Sequence, residues 1–242
     1  MSDSKVLMAQ QWLNQTNIYG IIQCACWCKG YAADYNGITK HFYSETGNAI
    51  KELKNHAGCS DTSSTVTLNV MKALLSMDYF VCSTYAESDS QIRTIQQYLN
   101  RNYENYIGLC PCDGIYSRGT NTALIYAIQA EEGLSTSVAN GNFGPSTKNC
   151  CLTIPYDNVA NNYQGRKYTG DEINRFTSLL NIALYVNGFG NGEPTALLDS
   201  TVVSAFQNSY ALDSNGICSL TTWLALLVSC GDILLLKIIY QI

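Results

Sequence analysis

A nine-residue segment occurs three times at wide intervals along this chain, and that recurrence restricts the fold more than any single motif does. The copies are Val6-Leu-Met-Ala-Gln-Gln-Trp-Leu-Asn14, Ile92-Arg-Thr-Ile-Gln-Gln-Tyr-Leu-Asn100 and Ile173-Asn-Arg-Phe-Thr-Ser-Leu-Leu-Asn181. In each, positions one, four, seven and eight are apolar and fall on one helical face. Ser88, Asp89 and Ser90 offer N-caps to the second copy, and Thr169 with Glu172 has capping-box spacing ahead of the third. A turn feeding a helix follows each copy, at Phe42 to Leu53, Asp113 to Gln129 and Asp199 to Gln207. A shorter element closes each stretch at Thr67 to Leu75, Thr147 to Leu152 and Thr222 to Leu227. Its entry is a Gly-containing turn in the second and third stretches, Asn140 to Thr147 and Asn215 to Thr222, with Thr120, Thr147 and Thr222 read as N-cap hydroxyls.

The pattern predicts an all-α chain of three tandem three-helix units, each of about 75 to 85 residues and near the lower size for a self-sufficient core. Apolar periodicity lapses near Ser83 to Ser88 and over Tyr156 to Thr169, which places the units at 1–84, 85–158 and 159–232, followed by an apolar tail at 233–242. Gly20 to Cys28 and Val66 to Val70 are the segments where short extended pieces are expected.

Composition narrows function by exclusion. Only 14% of the 242 residues are charged and the net charge is −5, with the basic residues scattered singly, so the basic stripe that phosphate binding needs is missing and nucleic acid is not an expected partner. The longest apolar run, Ile233 to Ile242, holds Lys237 and is half of the roughly 20 residues a membrane span requires. The start, MSDSKVLMAQQ, lacks the basic and apolar regions of a secretory signal. Eleven cysteines are an odd number in a chain too large to need staples, which points to reduced thiols. Cys24, Cys26 and Cys28 alternate, unlike the paired C-x-x-C of structural zinc, and His41 and His56 are too few for a histidine zinc centre, so no metal and no cofactor is expected.

The order V/I-x6-L-N, then D-G-I-Y-x3-T with a helix and Gln, then G-L, then N-G-x-F-G-P-x-T resembles the bacterial peptidoglycan-binding domain, a small three-helix module of cell-wall hydrolases. The middle stretch carries the resemblance best, through Leu99-Asn100, Asp113-Gly114-Ile115-Tyr116, Thr120, Ala123-Leu124, Gln129, Gly133-Leu134, Asn140-Gly141, Phe143-Gly144-Pro145 and Thr147. It departs in one extra residue between Thr120 and Gln129 and in Ser117-Arg118-Gly119 where Gly-Pro is usual. The outer stretches are degenerate: the first has Lys54 at the Gln position, and the third keeps Ala205-Phe206-Gln207, Asn215-Gly216-Ile217 and Thr222-Trp223 while losing the first Asp-Gly turn. The tandem arrangement is similar to the front half of Gram-positive or prophage proteins whose repeats precede a glycoside-hydrolase-like barrel. After Gly231-Asp232 the chain ends in the apolar tail, read either as a truncated or frame-shifted end or as a native last element.

What the resemblance implies is binding of peptidoglycan or its fragments, at a groove in the middle unit lined by Asp113, Gly114, Tyr116, Asn140, Gly141, Phe143 and Thr147. Tyr116 is the leading ligand contact, because an aromatic face with a polar tip suits a sugar ring. No catalytic constellation is evident: Glu131 and Glu132 diverge on a helix and read as a solvated face, Asp113 orders its own turn, and no pattern pairs His41 or His56 with a thiol. Trp12 and Tyr98 share a helix face and read as core. The expected function is non-catalytic wall recognition beside a catalytic partner domain, made in the cytoplasm of a bacterium and released by lysis or non-classical export. The alternatives are a wall hydrolase with an unrecognised active site and an interaction module that has lost its ligand.

Overall fold

The computed structural model describes residues 17–33, 41–84, 86–155 and 161–228. The first copy of the repeat, with Trp12, and the apolar tail lie outside the described residues. Among the described residues there are nine α-helices and no strand, so the chain is all-α. They are α1 (Ile18–Cys28), α2 (Ser44–Ala57), α3 (Leu68–Leu75), α4 (Ser90–Ile107), α5 (Arg118–Glu131), α6 (Pro145–Cys150), α7 (Gly170–Val186), α8 (Ser200–Ser209) and α9 (Leu220–Val228).

Local sequence explains most boundaries. Asp89 caps α4 by accepting from the Gln91 and Ile92 amides, and Thr169 with Glu172 completes a capping box on α7. The segment from Gly20 to Cys28 is helical rather than extended, because the Asn17 side chain caps α1 at Tyr19 and Gly20. Val66 to Val70 is likewise not a strand, since Thr67 accepts from the Val70 amide and opens α3. Thr120 and Thr147 are not N-caps. Ser117 and Gly144 hold those positions, and the threonines sit inside the helices.

The buried threonines have another task. Thr46, Thr120, Thr147 and Thr222 are each the third residue of their helix, and each hydroxyl accepts a hydrogen bond from a buried glutamine on the preceding helix: Gln23, Gln96, Gln129 and Gln207, at 3.0 to 3.1 Å. Three of these glutamines also clasp the intervening turn. Their carboxamide oxygens accept from the amides of Gly114, Gly141 and Gly216 at 2.9 to 3.0 Å. Their nitrogens reach the carbonyls of Ile115, Asn142 and Ile217. The glycines adopt φ between +68° and +78°, and a Cβ on Gly114 would stand 2.6 Å from the Asp89 carbonyl oxygen.

Two apolar clusters lie beneath. One unites Ile22, Ile50, Leu53, Val70, Leu74 and Phe80 under α1–α3, and the other joins residues of α4 to α9, from Ile95 to Leu227. In the second, α5 packs against both α4 and α7. Trp223 donates to the Leu152 carbonyl at 2.9 Å, and Cys218 pairs with Ile154 through two backbone bonds. The clusters meet where α2 contacts α4: Asn100 donates to the Ala57 carbonyl, Gln97 to the His56 carbonyl, and Gly58 leaves no room for a side chain against Gln97.

Removing one glutamine strands several buried partners at once. Gln129→Ala leaves the Gly141 amide and the Thr147 hydroxyl without their bonds, and at roughly 1–3 kcal/mol for each buried unsatisfied group it should destabilise the chain by about 2–4 kcal/mol in urea unfolding. Thr147→Val combined with Gln129→Ala should cost less than the two single changes added together.

Candidate functional site

The two turns expected to face a ligand both abut α5. Asp113 opens the first: its Oδ1 accepts from the Ile115 amide at 2.9 Å and from Gln96 at 3.1 Å, so the side chain orders its own turn. Gly114 is buried behind it, while Tyr116 is half-buried and donates through its hydroxyl to Asn121 Oδ1 on α5 at 2.7 Å. In the second turn Asn140 is exposed, and its Oδ1 accepts from the Asn142 amide. Gly141 is buried so tightly that a Cβ would stand 2.7 Å from Thr122 and Tyr126, and Thr147 is 1% exposed within the Gln129 clamp. Phe143 is half-buried against the core. Asp113, Tyr116, Asn140 and Phe143 therefore present surface, and Gly114, Gly141 and Thr147 support it from behind.

Tyr126 was not singled out in the sequence. It lies half-buried on α5 against the Gly141 turn, and the signal for it was its place four residues after Thr122, on the helix face that the turn covers.

The pair Glu131 and Glu132 departs from the expected solvated face. Glu131 is 7% exposed, accepts from Tyr103 at 2.9 Å and pairs with Arg175 at 2.7 Å. Glu132 is fully buried, and neither carboxyl oxygen has a hydrogen-bond partner. Helix α5 lies between α4 and α7, so both sides of its C-terminal turn are covered. Burial pushes the Glu132 carboxyl up to about 9, with Cys150, Cys151 and Tyr168 as its electrostatic neighbours. A protonated carboxyl is what glycan hydrolysis uses as its acid, but one with no accessible surface cannot reach a glycan.

Most of the described thiols are buried, with Cys82 exposed and Cys28 and Cys151 half-buried. The described cysteines are free, and burial pushes Cys26 and Cys110 up to about 12 and Cys24 and Cys59 to about 11, which keeps them out of the nucleophilic thiolate form. His56 sits with its Nδ1 2.9 Å from the Tyr31 hydroxyl, and His41 stacks obliquely near Tyr43. Among the described residues no cluster of three or more His, Cys, Asp or Glu is arranged around a metal position, and no helix is long and apolar enough to cross a membrane.

The chain is a helical region with clamped glycine turns, and part of it is similar to a known family. Residues 85–161 match the family model described as FadG/YbfG, PGDB-like domain. Over 222 residues, 90% of this chain, the sequence is 44% identical to "Uncharacterized protein YbfG" of Bacillus subtilis (strain 168), covering 28% of that protein. Over 224 residues, again 90% of the chain, it is 42% identical to "Uncharacterized protein FadG" of the same organism, covering 36% of it. The chain thus spans about a third of the length of these relatives. No solved structure matches.

Burial of Glu132 makes a pH prediction. Its pKa is 4.5 when unfolded and about 9 when folded, so the folded state favours the protonated form and stability falls as pH rises through that window, by at most about 1.4 kcal/mol per pH unit. Urea unfolding at pH 5 and pH 8 should show Glu132→Gln gaining stability relative to the parent as pH rises. A constant difference between the two chains would contradict a neutral buried carboxyl.

Proposed function

We propose that this chain is a non-catalytic recognition region for peptidoglycan, built of three peptidoglycan-binding-like units at 1–84, 85–158 and 159–232, and that it targets a cell-wall lytic or remodelling activity supplied by a partner domain. The observation that carries this reading is the coincidence of the PGDB-like match at 85–161 with the two clamped turns at Asp113–Tyr116 and Asn140–Thr147. Glycine turns held from behind by a carboxamide are rigid before any ligand arrives, which lowers the ordering cost of binding. Tyr116, Asp113, Asn140 and Phe143 form the contact surface in this reading, with Gly114, Gly141 and Thr147 fixing its shape. Tyr116 contacts a sugar or stem-peptide face. The Gln–Thr clamp also occurs at Gln23–Thr46 and Gln207–Thr222, which supports related units on either side, and tethered units gain avidity from weak individual affinities. In this reading the chain acts at a bacterial cell wall as a soluble, cofactor-free module, and both relatives are bacterial.

Co-sedimentation with purified insoluble peptidoglycan tests the reading. The folded chain should pellet with the wall at low salt, and Tyr116→Ala should lower the bound fraction severalfold, while circular dichroism and urea unfolding stay close to the parent. A folded chain that remains in the supernatant removes the proposal, and release of soluble muropeptides by the chain alone would replace it with a hydrolase.

A further inference from the structure

The segment from Asn161 to Tyr168 forms a short strap across the C-terminal end of α5. Its own turn is fixed locally: Asn161 and Lys167 pair as an isolated antiparallel bridge, Asn162 Oδ1 accepts from the Gln164 and Arg166 amides at 3.0 and 3.2 Å, and Gly165 takes φ +76°. Bonds at both ends fasten it to the neighbouring helices. The Tyr163 amide donates to the Glu132 carbonyl at 2.7 Å, Gln164 Nε2 reaches the Gly133 carbonyl at 3.4 Å, and the Tyr168 hydroxyl donates to the Cys150 carbonyl, at the end of α6, at 2.7 Å. These anchors bracket the Glu132 side chain, whose electrostatic neighbours are Cys150, Cys151 and Tyr168. The Glu132 carboxyl is fully buried and unpartnered, and the amide nitrogen of Asn162, a residue 3% exposed, is unpartnered as well. The cover over this carboxyl is lightly held, because Asn162 and Tyr168 are the only buried residues of the strap.

We infer that the strap is a pH-sensitive closure, shut over a protonated Glu132 carboxyl and released as that carboxyl gives up its proton to water. An ionised carboxylate without hydrogen bonds or counter-charge is too costly in an apolar interior, so ionisation requires that water be admitted. Burial raises the carboxyl to about 9 in the closed form, and an open strap returns it towards the ordinary 4.5. The open form therefore binds fewer protons and gains population as pH rises between those values, by at most about tenfold per pH unit. The groups around Glu132 do not supply this response. Cys150 and Cys151 at the end of α6 and Tyr168 on the strap are all pushed above their usual ranges. The Arg166–Glu172 pair between strap and α7 keeps its charges, with Glu172 held down to about 2, and Glu131 on α5 is engaged by Tyr103 of α4 and Arg175 of α7. The device does not rest on the wall-binding reading, since it requires no ligand.

Chymotrypsin digestion of the full chain, with fragments identified by mass spectrometry, reads the opening at the bond after the exposed Tyr163, because cleavage of a transiently opened segment follows its open population. Rates are normalised at each pH to those on a short peptide substrate. Between pH 6.5 and 8.5, cleavage after Tyr163 should rise about tenfold more in the parent than in Glu132→Gln, whose carboxamide has no proton to lose. Cleavage after Tyr98 and Phe176, inside α4 and α7, should not follow it. Tyr168→Phe removes the Cys150 anchor and leaves the carboxyl in place, so it should raise cleavage after Tyr163 at both pH values and keep the pH response. A flat parent, or an equal rise in the parent and Glu132→Gln, overturns Glu132 as the sensor. Matching rises after Tyr98 and Phe176 mark global unfolding and overturn the strap, as does a Tyr168→Phe chain cut like the parent.

Discussion

The arrangement depends on one interaction, a buried glutamine carboxamide that bonds at once to the next helix and to the turn leading into it. Helix-to-helix packing by apolar contact alone fixes which faces meet and leaves the connecting backbone free. The carboxamide removes that freedom. Gln129 binds the Asn140 and Gly141 amides through its oxygen and the Asn142 carbonyl and Thr147 hydroxyl through its nitrogen, so the turn and the following helix cannot move independently. Because these partners are buried, each bond is expensive to break without replacement, and the cost falls on the turn, the part of a small helical domain otherwise least restrained.

Much of this was legible in the sequence, and the remainder failed for identifiable reasons. The helices around Ile92–Asn100 and Ile173–Asn181 followed from apolar spacing and caps, since both signals are local. Asp113 as the organiser of its own turn followed from the same short-range chemistry. The threonines were placed correctly as repeating features but given the wrong partner. A cap bond spans three residues and can be read from spacing, whereas the bond from Gln96 to Thr120 spans 24 and exists only once α4 and α5 pack. Glu131 and Glu132 were misjudged for a related reason: a polar pair reads as solvated until a third helix is known to cover it, and α7 does so through Arg175. The extended expectation for Gly20–Cys28 failed because Asn17, just ahead of that segment, caps a helix that runs through it.

Polar side chains also join what apolar packing would leave separable. Tyr185 donates to Asp89 Oδ2 at 2.6 Å, linking the end of α7 to the cap of α4, and Asn121 reaches the Leu227 carbonyl on α9. Asn100, the last residue of the recurring segment, bonds both ways to its own loop at Cys110 and across to Ala57 on α2. The segment's terminal asparagine is therefore a loop anchor, a role that Asn181 repeats at Thr195 and Leu197. Such links give a chain of short helices one continuous arrangement from α4 to α9 and tie α1–α3 to it through α2.

The departures from the clamp are as informative as the clamp. Glutamine and threonine are present together at four helix junctions, before α2, α5, α6 and α9, and missing together at the other four, before α3, α4, α7 and α8. Before α3, the glutamine is replaced by Lys54, 1% exposed, whose ammonium bonds Asp61 at 2.7 Å and whose partner is thereby held down to about 2. A charge so deeply placed must be compensated, and Asp61 does this while accepting from the Ser63 amide, so the ion pair takes over the turn-holding task. Before α8, the loop is held from Asn181 through the Thr195 and Leu197 carbonyls, beside a groove lined by Leu184, Leu198 and Val202. Local consistency across levels makes a fold, and at both of these junctions a different polar side chain restrains the loop that the glutamine would otherwise hold.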